Sequence, residues 1–212
     1  MMNLAETTRG AVLEFLQKQG FPINLPLPLL EGADFRSSRE IAERIVILYA
    51  LIGLAHDADA EALKEWLIEN NLYSQLLPPE RDFFSQNNLS EQDAMDLSWE
   101  QEALYVLAWS GALVKELALP YSECHLEEVF HKIPPEIEVA EFLQSYVLVA
   151  EEKILFQADL HYCLHWVVRH PEVWRGLTAP KRLNEDVIME RRQAFEWMIN
   201  SSTSWDEIVL DT

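Results

Sequence analysis

A chain of 212 residues with 49% hydrophobic and 25% charged side chains has the composition of a folded protein, not of a disordered one. Its 36 Asp and Glu outweigh 16 Lys and Arg, leaving −20 at pH 7. Such a surface repels phosphate backbones and anionic lipid headgroups alike, so neither nucleic acid nor a membrane is expected as a partner.

Read in chain order, helix-start signals recur. Asn3 with Glu6, Ser37 with Glu40 and Ser90 with Asp93 each put a capping side chain three residues before an acid, while Asp59 and Asn184 stand as simple N-caps. The spacing predicts helices over 4–19, 38–56, 59–71, 79–86, 90–115, 123–131, 138–168 (with a break) and 185–200. No stretch alternates over six residues, so strands are not expected. Residues 21–30 (FPINLPLPLL) carry too much proline for a helix and should run as an extended strap. Residues 44–55 (RIVILYALIGLA) and 103–114 (ALYVLAWSGALV) are apolar on nearly every side, which belongs in the middle of a bundle. The expectation is all-α: an N-terminal helix and strap over 1–35, then one multi-helix globular domain over 36–212 with two apolar central helices.

Glu6, Arg9, Glu14 and Lys18 interrupt any apolar leader, and the uncharged runs at 20–30, 45–55 and 103–114 are shorter than the roughly 20 residues that span a bilayer. Cys124 and Cys163 sit in different segments without metal-type spacing, which suits free thiols in a reducing compartment; a cytoplasmic location is expected.

Four polar residues fall on apolar helical stripes. Arg191 shares a face with Val187, Ala194 and Met198; Glu102 lies among Trp99, Val106 and Trp109; Arg44 precedes Leu48 and Leu51; His165 follows Ala158 and Tyr162. A buried charge needs a partner, so Glu102 is expected to pair with Arg191 or Arg44, or these groups line a pocket for an anion with Arg191 as the clamp. His161 and His165 have HxxxH spacing, but two imidazoles lack the third and fourth ligands of a metal site, and neither a metal nor a cofactor is expected. No nucleophile elbow, phosphate-cradling glycine loop or dinucleotide fingerprint is present.

Residues 97–113 (LSWEQEALYVLAWSGAL), 160–169 (LHYCLHWVVR), 183–199 (LNEDVIMERRQAFEWMI) and 205–212 (WDEIVLDT), with 36–50 and 65–81 upstream, resemble domain of unknown function family 4272. The resemblance implies a mostly helical, intracellular bacterial protein of a family without an assigned activity. Trp99, Glu102, Trp109, His165, Trp166, Arg191, Trp197, Trp205 and Asp206 match its pattern, whereas His161 and Cys163 depart from it. Trp205 and Asp206 are expected to tether the tail.

Two functions compete. One is a non-catalytic binding domain that acts through its acidic surface on a basic protein, or through Glu102, His165 and Arg191 on a small anionic ligand. The other is an enzyme in which Arg191 holds an anionic substrate while His165 or Glu102 moves protons. A homodimer is compatible with either.

Overall fold

A computed structural model describes residues 4–23, 26–86, 89–174 and 182–211, with backbone alone at 173 and 174. The helices are α1 (Leu4–Lys18), α2 (Ser38–Ala55), α3 (Ala60–Glu69), α4 (Pro78–Phe83), α5 (Glu91–Ser110), α6 (Glu127–Phe130), α7 (Val139–Ser145), α8 (Glu151–Arg169) and α9 (Glu185–Ile199). Among the described residues there is no strand; one isolated parallel bridge joins Asp34 and Asn200. The fold is all-α.

Local chemistry sets the starts. Ser37 and Glu40 close a full capping box on α2, Asp59 accepts the Glu61 and Ala62 amides of α3, Ser90 accepts that of Asp93 on α5, and Asn184 those of Asp186 and Val187 on α9. The cap expected at Asn3 lies outside the described residues.

The chain divides into two compact units, both discontinuous. One comprises Met1–Arg36, Ala118–Glu123 and Val149–Thr212; the other comprises Ser37–Leu117 and Cys124–Leu148.

In the first unit, α8 packs on both α1 and α9. Gly20, left-handed at φ 79, ends α1 and turns Phe21 into a core with Val12, Leu16, Leu164, Val167 and Ile188. Residues 158–167 of α8 are buried on every face, so it is a third central helix beside the two expected. Asp34 and Arg36 pair their amides with the Ile199 and Met198 carbonyls, and the Arg36 guanidinium lies 4.2 Å over the Trp197 ring.

In the second unit, α2 packs along α5 and touches α3 and α7. Helix α5 stops at Ser110, short of the expected 115, because Ala112 turns left-handed at φ 58 and Leu113 donates back to the Ala108 carbonyl. A side chain at Gly111 would run into the Tyr146 ring. Tyr146 also marks the break in the expected 138–168 helix: its hydroxyl donates to the Leu107 carbonyl at 2.5 Å and lies 3.0 Å from Ser110 Oγ. Residues 146–150 form neither helix nor strand between α7 and α8.

Candidate functional site

His165, only 1% exposed, places Nδ1 2.8 Å from Arg192 Nη1. A guanidinium only donates, so Nδ1 accepts and the neutral ring carries its hydrogen on Nε2. Arg192 Nη1 also donates to the Asp211 carbonyl at 2.8 Å, its Nη2 reaches Glu196 Oε1 at 3.3 Å, and the guanidinium lies 4.5 Å over the Tyr162 ring. This one buried cation thus ties α8, α9 and the C-terminal tail together.

His161, one turn earlier, has the opposite tautomer. Its Nδ1 lies 2.8 Å from the Gln157 carbonyl, which can only accept, so Nε2 is left as a lone pair. The two buried Nε2 atoms, one a donor and one an acceptor, have no hydrogen-bond partner among the described residues. This arrangement disfavours an HxxxH chelate: one nitrogen is protonated, and the guanidinium that fixes it repels a cation.

Burial, followed by the charge of Arg191, pulls the His161 pKa down to about 3; burial, followed by Arg192 and Arg169, pulls His165 down to about 4. Unfolded histidine titrates near 6.5, so the unfolded chain binds these protons first. Their contribution to stability is complete above pH 6.5 and is lost as pH falls toward 4 and then 3. The loss is at most about 1.4 kcal/mol per pH unit for each histidine. Glu196, whose pKa is raised by burial against the pull of Arg192, acts in the opposite sense. Urea unfolding from about pH 7 to about pH 4 is expected to show the decline, with a shallower slope in His161→Asn, whose amide keeps the bond to Gln157. Equal slopes in both proteins would remove His161 from the account.

The other sequence-derived residues are also placed. Arg191 is 2% exposed and donates from Nη1 to the Ala118 carbonyl at 2.7 Å, which holds segment 118–123 against α9. Trp205 is buried edge-on against Trp197 at 5.2 Å, and exposed Asp206 accepts the Ser204 hydroxyl at 2.6 Å. Glu102 and Arg44 belong to the second unit. Glu102 is fully buried, and its Oε1 takes the Cys124 amide at 2.5 Å. Arg44 forms an ion pair at 2.6 Å with Glu80, a carboxylate not singled out beforehand. Glu102 is thus assigned to a different unit from His165 and Arg191.

Arg9, Asp159, Glu80 and Arg192 were missed. Arg9 meets Asp159 in a bidentate buried pair, Nε–Oδ2 2.8 Å and Nη2–Oδ1 2.7 Å, and donates to the Leu27 and Pro28 carbonyls at 3.0 and 2.8 Å. Its stripe with Val12 and Leu16 on α1 was the available signal.

With this geometry in place, comparison with known proteins gives one match: the family model Domain of unknown function (DUF4272) covers residues 9–208. The chain belongs to that family, and the match takes in α1 from Arg9 onward and the strap as well as the later segments that first suggested it. Comparisons with curated proteins and with solved structures give no match.

Proposed function

We propose that this protein is a non-catalytic binding domain whose acidic second unit docks a basic protein partner. The observation that carries the reading is where the charge lies: the second unit holds 20 Asp and Glu against 6 Lys and Arg, net −14 of the total −20. The charged residues suggested as a small-ligand pocket, Glu102, His165 and Arg191, are withdrawn from solvent by burial.

The acids are arranged at a cost. Exposed Glu61, Glu65 and Glu69 stand at i, i+4 and i+8 on α3, where like charges repel by about 0.2–0.5 kcal/mol per pair. The last turns of α2 and α3 hold no basic residue, so Asp57 just beyond α2 and Glu69 within α3 sit at the negative ends of helix dipoles. A cationic partner relieves both penalties and is steered in by the field. No helix of the described residues is long and apolar enough to cross a membrane. Cys124 and Cys163 are not joined in a disulfide, and burial pushes the Cys163 thiol up to about 12, which supports a cytoplasmic setting.

Titration calorimetry with oligolysine tests the reading. The triple variant Glu61→Gln, Glu65→Gln, Glu69→Gln is expected to lose about tenfold or more in affinity. A control triple in the first unit, Glu31→Gln, Glu152→Gln, Glu172→Gln, should retain it. Equal losses would reduce the charge to a general solubilising role and end the proposal.

A further inference from the structure

An open groove of about 390 Å³ is cut into the second unit where the end of α2 and the start of α3 approach α4 and the start of α5. Its lining is mixed: Leu54, Phe83, Leu89 and Ala94 supply apolar surface, Gln86 and Ser90 polar surface, Asp57 and Glu91 its charges, and no lysine or arginine lines it. On α5, Met95 stands one helical turn after the groove-lining Glu91 and is 56% exposed. Asp57 holds a left-handed backbone, φ 60, where glycine is the usual choice, and this places a carboxylate rather than a hydrogen at the groove wall.

We infer that this groove seats a basic amphipathic helix of a protein partner, with a bulky apolar side chain on the Leu54–Phe83–Leu89 floor and Lys or Arg against Asp57 and Glu91. The inference rests on the acidic unit as the docking surface and specifies the partner. Charge complementarity selects the cationic flanks, since the wall offers two carboxylates and no cation of its own. The apolar side chains of Leu54, Phe83 and Leu89 within the groove select a side-chain anchor, which a purely polar polycation lacks.

The test uses the full chain and a fluorescent amphipathic peptide of leucine and lysine, with oligolysine as the comparison probe. Ala94→Trp fills the groove without changing charge and is expected to weaken the amphipathic peptide about tenfold or more while leaving oligolysine unchanged. Asp57→Asn, which tolerates the left-handed backbone, should weaken both probes and flatten the salt dependence of the peptide. Independently of any variant, methyl resonances of Leu54, Leu89 and Met95 should shift on adding the peptide to the wild-type protein.

Unchanged peptide affinity in Ala94→Trp, or methyl shifts confined to other faces, would overturn the groove. If the α3 triple variant still lost oligolysine binding, the acidic-unit reading would survive that failure. If neither Ala94→Trp nor the α3 variant affected either probe, both readings would fall.

Discussion

Substituting Arg9 by methionine is expected to remove about 3–5 kcal/mol of stability, the usual consequence of stranding one half of a buried ion pair. Asp159 would be left at 2% exposure without its guanidinium, and the Leu27 and Pro28 carbonyls would lose their donors. Neutralising the stranded carboxylate should recover much of the loss, so Arg9→Met with Asp159→Leu is expected to be markedly more stable than Arg9→Met alone. Urea unfolding of the wild type, the two single variants and the double variant supplies the cycle. A loss under about 1 kcal/mol in Arg9→Met would mean that the pair is hydrated in solution and that something else holds the strap.

Arg44→Met should have an effect of similar size, about 3–5 kcal/mol, for a related reason in the other unit. Arg44 and Glu80 are 5% and 6% exposed, and Glu80 has a second duty: its Oε2 accepts the Leu77 amide at 2.8 Å and so caps α4. Glu80→Gln keeps an acceptor for that amide and should cost less than Glu80→Leu, which loses both functions. Thermal and urea unfolding of these variants separate the ion pair from the cap. If Glu80→Gln and Glu80→Leu proved equally destabilised, the cap would contribute nothing.

Helix starts were legible in the sequence because capping is local: Ser37, Asp59, Ser90 and Asn184 each bond to an amide two or three residues ahead. Helix ends were harder to place. The stop of α5 at Ser110 depends on a left-handed Ala112 and on Tyr146, which arrives from a distant segment. The central position of α2 and α5 followed from their all-round apolarity, whereas α8 was disguised by Asp159, His161 and His165, which are buried despite their polarity.

Among candidate residues, burial of Arg44, Glu102, His165 and Arg191 could be read from helical stripes; the contacts of Arg44 with Glu80 and of His165 with Arg192 could not, because those partners come from other segments of the chain. Arg9 lies 150 residues from Asp159, and a charge near a chain end ordinarily reads as solvated. Arg192 was passed over because α9 is buried on two faces. Ile188, Arg192, Phe195 and Ile199 form a second stripe beside the one that contains Arg191.

The interleaving of the two units has a consequence during synthesis. Helix α1 leaves the ribosome with Val12 and Leu16 facing nothing, because the α8 surface they cover is made some 150 residues later, a wait of about 10–30 s at ordinary elongation rates. All residues of the acidic unit, 37–117 and 124–148, emerge before α8 begins. The order of translation therefore gives the acidic unit a head start in folding, while α1, made before it, finds its place only after α8 is complete.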